Sequence, residues 1–154
     1  MTREELFKFI QEIEHPQKDY GKILSCLHYT HYFLMDQYKR SLKNYNLTFT
    51  QSNILGIITH SYPGPLSLEQ IKVMVLEPNA DVSRTVVRLV EKGFVVKVTD
   101  RSNRRKVSIK ATAKGVKIMS RMAKDPGFCS ITKGLSLPEA KTFIRVLKKL
   151  RLQD

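Results

Sequence analysis

The sequence lacks the features of several large protein classes. Its 154 residues include two cysteines, Cys26 and Cys129, too few for the disulfide framework of a small secreted domain. No apolar run approaches the roughly 20 residues that a membrane-spanning helix needs. The charged N-terminal segment MTREELFKFIQEIE lacks the hydrophobic stretch that a signal peptide has. Together these absences predict a cytoplasmic chain of about one domain, with no membrane association.

Signatures of enzyme chemistry are missing as well. The sequence has no glycine-rich phosphate loop, no nucleophile with a spaced base and no obvious pair of carboxylates. Cys26, His28 and His31 lie close together, but on a helix residues 26 and 28 point about 200° apart, which does not suit a shared metal ion. We therefore expect neither catalysis nor a bound metal or cofactor.

Positive charge is what the sequence has in excess, and it is concentrated in one segment. The net charge is +13, and residues 81–124 carry +10 of it, with thirteen Lys and Arg against three acidic residues. Residues 1–80 are neutral. Folding does not require such a self-repelling surface. A polyanionic partner would explain it, because each neutralised phosphate releases condensed counterions. This segment is therefore the candidate for nucleic-acid binding.

Hydrophobic spacing and capping residues predict a mainly helical chain with one β-hairpin. The predicted helices cover about residues 3–14, 19–44, 48–61, 67–76, 82–92, 112–123 and 136–152. Two apolar runs, 94–99 and 106–111, flank a polar loop at 100–105 and predict the hairpin. Residues 125–130 are expected to form a loop. The helices at 67–76 and 82–92, joined by a short turn, predict a helix-turn-helix. Ser67 and Gln70 have the spacing of a capping box at the start of the first of these helices. Asn79 or Asp81 is the expected N-cap of the second, and Gly93 its C-cap.

The helix predicted over 82–92 has two chemically different faces. An apolar stripe at helical spacing consists of Val82, Val86, Leu89 and Val90. Arg84 and Arg88 point the opposite way, with Ser83 and Val87 on the flank between. One face can be held by a core while the other offers guanidinium groups to guanine edges or phosphates. For two arginines alone, an ordinary solvated face would be the simpler interpretation.

The loop of the predicted hairpin is strongly basic. Arg101, Arg104, Arg105 and Lys106 crowd one turn, with only Asp100 nearby. Such a tip can enter a narrow minor groove, where the negative potential favours arginine. A surface hairpin that is merely basic is the alternative. A helix-turn-helix followed at once by a basic two-stranded wing is nevertheless specific in combination, and it favours DNA binding.

The span from about residue 47 to 115 resembles the winged helix-turn-helix of the MarR family of bacterial transcriptional regulators. The resemblance is carried by Leu47-Thr48 with Gln51 and Leu55, Leu66-Ser67, Val82-Ser83-Arg84, Arg88-Leu89, Lys92-Gly93-Phe94-Val95, Asn103-Arg104-Arg105, Val107, Thr112 and Lys114-Gly115. It implies a mainly α fold with a small β-hairpin wing, in a single domain of residues 1–154. The winged helix-turn-helix lobe, residues 47–111, would be flanked by N- and C-terminal dimerisation helices, residues 1–46 and 112–154.

The resemblance also implies a function and a set of contacts. The chain would be a homodimer that binds a palindromic operator in double-stranded DNA as a ligand-responsive repressor. The expected DNA-binding residues are Ser67, Ser83, Arg84, Val87, Arg88, Arg101, Asn103, Arg104, Arg105 and Lys106. Arg105 matches the arginine that in this family reaches into the minor groove. Two positions depart from the family pattern: Asn103 stands where Asp is usual, and Ala111 where Leu is usual.

The resemblance also implies two further sites, and two other functions stay open. Relatives often bind small aromatic effectors, and the candidate pocket residues here are Tyr29, His31, Tyr32, Phe33, Ile54 and Ile58. Some relatives sense oxidants through a cysteine near the start of the long helix, which would make Cys26 a redox site. A lone helical cysteine is more often a small buried hydrophobe. The alternative functions are an oxidant-sensing regulator and a winged-helix module that binds an acidic protein and not DNA.

Overall fold

The computed structural model describes residues 4, 5, 8, 12, 18–99, 107–129 and 134–151. Within these residues the helices are α1 (Lys18–Lys43), α2 (Phe49–His60), α3 (Leu68–Met74), α4 (Val82–Glu91), α5 (Ala113–Ala123), α6 (Pro126–Cys129) and α7 (Leu137–Arg151). The strands are β1 (Leu66–Ser67), β2 (Val95–Thr99) and β3 (Val107–Ala111). The predicted fold class, mainly α with a small β-hairpin, is confirmed. Residues 4, 5, 8 and 12 are helical, in the segment where the first helix was predicted.

The described chain forms two compact units, residues 1–49 and 50–154. In the first unit, α1 ends in a Schellman motif, in which the amide of Leu47 donates to the carbonyl of Leu42 (3.4 Å) and that of Asn46 to the carbonyl of Lys43 (3.1 Å). Asn46 takes the left-handed conformation that this motif needs, with φ +51°. Leu42 and Leu47, the two positions that commonly pack together at such an ending, are both buried.

The second unit contains an antiparallel sheet of strand order β1-β3-β2. The hairpin register runs from Val95 opposite Ala111 to Thr99 opposite Val107. Strand β1 adds Leu66 opposite Ile109. The apolar core of this unit is formed by Ile54, Leu55, Ile58, Ile71, Val82, Val86, Leu89, Val95, Ile109, Ala111 and Met122. The sheet and the helices α3 and α4 therefore belong to one packed unit. Because one face of α4 packs in this core, its opposite face is exposed to solvent.

In the segment after α5 the predicted structure was wrong. A loop was expected over 125–130, but residues 126–129 form the short helix α6. Asp125 initiates it, since its Oδ1 accepts a hydrogen bond from the amide of Gly127 at 2.7 Å. Proline at the first helical position has no amide hydrogen to leave unpaired and has a helical φ. The Asp-Pro-Gly sequence thus starts a helical turn here.

The length and polarity of the helices show whether any of them could span a membrane. Across the described residues, every helix is too short or too polar to cross a bilayer.

Candidate nucleic-acid interface

Helices α3 and α4 are joined by a turn that is attached to α2. The capping box predicted at Ser67 is present: its Oγ accepts from the amide of Gln70 (3.2 Å), and the Gln70 side chain accepts from the amide of Ser67 (2.8 Å). After α3, the amide of Leu76 donates to Oδ1 of Asn53 at 3.0 Å. The hydroxyl of Thr50 donates to the carboxylate of Glu77. The turn is therefore held by side chains of α2, which positions the start of α4.

Helix α4 is anchored on one face and open on the other. Asp81 caps its N-terminus by accepting from the amide of Arg84 at 2.9 Å. Its buried residues are Val82, Val86 and Leu89, and the fourth residue of the predicted stripe, Val90, is partly exposed. Its outward residues Ser83, Arg84, Val87 and Arg88 are exposed. At 100° per residue these four span an arc of about 140°, in the order Ser83, Val87, Arg84, Arg88. The structure thus presents both arginines, the hydroxyl and the exposed valine on one surface.

The C-terminus of α4 is also fixed. Gly93, with φ +71°, forms a Schellman motif in which Phe94 donates to the carbonyl of Leu89 at 3.0 Å and Gly93 to that of Val90 at 2.8 Å. This confirms the predicted glycine cap.

The residues around this cap connect α4 to two other helices. The Nζ of Lys92 donates to Oε1 of the buried Gln51 at 3.1 Å. The Nζ of Lys114 donates to the carbonyl of Lys92 at 2.8 Å and lies 5.0 Å from the centre of the Phe94 ring. The hydroxyl of Thr112 donates to the carbonyls of Gly93 and Phe94 at 2.8 and 3.1 Å. Side chains that bind nucleic acid are most effective on a rigid element, and α4 meets that condition at both ends.

A groove lies between α3, α4 and the sheet. Its volume is about 910 Å³, and it is lined by Ser67, Leu68, Glu69, Gln70, Ser83, Val86, Val87, Lys97, Val107, Ser108 and Ile109. Of the predicted DNA-binding residues, Ser67, Ser83 and Val87 line it. Arg84 and Arg88 lie on the exposed face of α4 and are not among its lining residues.

Sequence reasoning missed four polar residues of this groove: Glu69, Gln70, Lys97 and Ser108. Lys97 is exposed on β2, two residues after the buried Val95, so both side chains belong to the same face of the strand. Strand alternation could have placed Lys97 on the inward face of the hairpin. Only the pairing of β1 with β3 shows that this face borders the helix-turn-helix.

The predicted wing tip is outside the described residues. This applies to Arg101, Asn103, Arg104, Arg105 and Lys106. The strands on either side are paired up to Thr99 and Val107, as the predicted hairpin requires. Their DNA contacts stay a prediction.

The residues of the predicted effector pocket belong to two different units. In the first unit Tyr29 is partly buried, whereas His31, Tyr32 and Phe33 are exposed, and the rings of His31 and Tyr32 meet edge-on at 5.7 Å. In the second unit the side chains of residues 54 and 58, both isoleucines, are fully buried. The pocket stays a prediction.

Cys26, the predicted redox residue, is a free and partly exposed thiol on α1. In the part of the chain that the structure describes, no three His, Cys, Asp or Glu side chains are grouped as a metal site.

Comparison with known proteins gives the same architecture. A family model described as a winged helix DNA-binding domain matches residues 47–115. No curated protein sequence matches the chain.

Solved structures resemble the chain over most of its length. A variant of MarR from E. coli in complex with operator DNA has a TM-score of 0.69 and 20% identity, covering 89% of this chain and 99% of that one. Apo MarR from the same organism has a TM-score of 0.63 and 22% identity, covering 82% and 94%. BpsR of Bordetella bronchiseptica, whose DNA binding is regulated by 6-hydroxynicotinic acid, has a TM-score of 0.68 and 21% identity, covering 92% and 99%. The chain is therefore a winged helix-turn-helix protein with the fold of the MarR-like transcription regulators.

Proposed function

We propose that this protein is a sequence-specific DNA-binding regulator of transcription. The observation that carries the proposal is the outward face of α4, where Arg84 and Arg88 stand beside Ser83 and Val87 on a helix that is capped and anchored at both ends. Guanidinium groups on such a helix suit guanine edges and phosphates in a major groove. The basic loop that includes Arg105 would add minor-groove contacts. The fold shared with a MarR variant that binds operator DNA supports this assignment.

We further propose that the regulator acts as a homodimer on a palindromic operator. Helix α7 has no buried residue among those described, and its apolar side chains Phe143, Ile144, Val146 and Leu150 are 41–53% exposed. Its other face is basic and consists of Lys141, Arg145, Lys148 and Lys149. A monomer rarely leaves such a contiguous apolar surface to solvent. A two-fold dimer would cover it and would place two copies of α4 about one DNA turn apart.

We also propose that the protein is a repressor and that a small aromatic molecule relieves the repression. BpsR, which shares the fold, is regulated by a hydroxylated aromatic acid, and this chain has Tyr29, His31, Tyr32 and Phe33 close together on α1. We expect compounds of that chemical class to release the protein from its operator. A set of hydroxylated aromatic acids, added to a preformed protein–DNA complex, tests this. Release by none of them would remove the effector from the proposal and leave DNA binding unaffected.

The central test is selection of DNA from random genomic fragments, followed by binding measurements on the enriched sequence. We expect a shared palindrome, and affinity that falls steeply with salt because phosphate contacts release counterions. Substituting Arg84→Ala or Arg105→Ala should weaken binding by about 1–3 kcal/mol each.

Arg40→Ala is the matched control for these two substitutions. It removes the same charge from an exposed i,i+4 ion pair with Asp36 (2.8 Å) on α1, outside the basic segment. We expect it to leave binding nearly unchanged. Failure to enrich any shared sequence, or full affinity in both arginine variants, would contradict DNA regulation. That outcome would favour a module that binds an acidic protein.

A further inference from the structure

Val87 is an exposed apolar side chain at a position where folding gains little from it. Its exposure is 42%, whereas Val86 beside it is 1% exposed and belongs to the core. Valine has lower helix propensity than alanine because its branched side chain loses rotamer freedom in a helix. An alanine at position 87 would therefore suit the isolated helix better. Exposure alone does not distinguish Val87, since Val73 is 87% exposed, but its place on the outward face of α4 does.

The neighbours of Val87 define the chemistry of that surface. On the outward arc of α4 it lies between the hydroxyl of Ser83 and the guanidinium of Arg84, and it lines the groove together with Ser83. The surface thus offers, side by side, a hydroxyl group, a stiff apolar group and a bidentate cation, and the exposed Glu91 follows one turn beyond Val87. Among the base edges of a major groove, the C5-methyl of thymine is the apolar partner, and guanine is the preferred partner of arginine.

We propose that Val87 contacts the C5-methyl group of a thymine in each operator half-site, close to a guanine bound by Arg84. This inference rests on the proposed DNA-binding function and adds a base preference to it. Residues three apart on a helix have Cβ atoms about 5–6 Å apart. Base pairs are stacked about 3.4 Å apart, so the two contacts fall within about two base pairs. The half-site therefore contains a thymine and a guanine as close neighbours.

Single-atom changes in the DNA test this assignment. Once an operator has been selected, each thymine is replaced in turn by deoxyuridine, which removes only the methyl group. We expect one thymine per half-site at which wild-type affinity falls by about fourfold, the effect of exposing one buried methyl. In Val87→Ala the same replacement should change affinity by less than about 1.5-fold, because the contact has already been lost. Val87→Ile should retain the wild-type sensitivity.

A second exposed valine provides the matched control. Val73 on α3 is 87% exposed and is not on the outward face of α4, so Val73→Ala makes the same chemical change elsewhere. This variant should respond to deoxyuridine as the wild type does. Far-ultraviolet circular dichroism and urea unfolding confirm that each variant is folded.

The possible outcomes separate this inference from the proposed function. If no operator is selected, DNA regulation itself fails, and the base preference fails with it. If an operator is found but no thymine methyl matters to the wild type, the assignment of Val87 is overturned while DNA binding stands. Equal methyl sensitivity in wild type and Val87→Ala overturns it as well.

Discussion

At the scale of single residues, Gly115 lies where two backbone segments of the second unit come close together. A Cβ atom at this position would lie 2.2 Å from the carbonyl oxygen of Phe94 and 3.1 Å from its carbonyl carbon. Both atoms belong to the backbone, which cannot move aside as a flexible side chain can. We expect Gly115→Ala to lower the free energy of unfolding by about 1–3 kcal/mol, the usual effect of overpacking. Urea unfolding monitored by circular dichroism measures this change.

Gly56 provides the matched control in the middle of α2. A Cβ there would meet only the Cε of Met119, at an ordinary 3.5 Å. Gly56→Ala should therefore raise the free energy of unfolding by about 0.5–1 kcal/mol, since alanine restricts the unfolded chain and favours helix. Equal stability of the two variants would show that the close approach at Gly115 is not what selects glycine there.

Glu139 provides a second prediction at the residue scale. The hydroxyl of Ser136 donates to its carboxylate at 2.6 Å and the Ser136 amide donates at 2.8 Å, and these two hydrogen bonds lower the pKa of Glu139. A carboxyl whose pKa is lower in the folded state stabilises the fold above its ordinary pKa. That contribution is lost as the pH falls through the folded value. We expect Ser136→Ala to raise the pKa of Glu139, because the stronger of the two hydrogen bonds is removed.

An NMR titration of the Glu139 side chain measures this shift. Ser136→Thr keeps the hydroxyl and should keep the pKa low. An unchanged pKa in Ser136→Ala would mean that the backbone amide alone holds the carboxylate.

At the scale of elements, α4 depends on its N-terminal cap. Asp81 satisfies the amide of Arg84, so Asp81→Ala should lower the free energy of unfolding by about 1 kcal/mol. Asp81→Asn retains an oxygen that can accept the same hydrogen bond, and we expect it to be close to wild type. Thermal or urea unfolding of the three proteins side by side provides the measurement. A loss of stability in the asparagine variant equal to that in the alanine variant would contradict a role as a cap.

Helix ends were the elements that the sequence predicted best. Ser67 and Gly93 cap their helices as predicted, through a local hydrogen bond and a local backbone conformation. Of the two candidate N-caps of α4, Asp81 is the one used, and Thr112, the predicted start of its helix, is the N-cap of α5. Local chemistry of this kind can be recognised without knowing the fold.

Features that depend on distant pairing were missed. Strand β1 is two residues long, too short to show alternation, and it exists because Leu66 and Ser67 pair with β3. The groove beside α4 depends on that pairing, so Lys97 and Ser108 could not be assigned to it beforehand. The sequence predicts a loop in place of the helical turn α6, because Pro and Gly usually mark a loop.

At the scale of the whole molecule, the exposed apolar face of α7 predicts self-association. Ile144 is 53% exposed, and Ile144→Glu would place a carboxylate on that face. We expect the dimer dissociation constant to rise by at least about 100-fold, since a buried carboxylate without a partner is strongly unfavourable. Sedimentation equilibrium of the variant and the wild type measures it. Weaker operator binding should accompany the loss of the dimer.

Arg145→Glu is the control for this prediction. It introduces the same carboxylate on the basic face of α7, which the proposed dimer does not bury, and the protein should remain dimeric. A wild-type protein that sediments as a monomer would contradict the homodimer directly.

The junction between α4 and α5 has a mechanical consequence. The side chains of Thr112 and Lys114 donate hydrogen bonds to the carbonyls of Gly93 and Lys92, just after α4. The missing side chain at Gly115 lets the start of α5 approach the backbone that follows α4. The junction is therefore rigid, and we expect a rotation of α5 to turn α4 with it. In a dimer, such a rotation would change the distance between the two arginine-bearing faces while leaving each face intact. The two halves of a palindromic site have a fixed spacing, which the two faces would then no longer match. A small rotation would therefore be enough to release the protein.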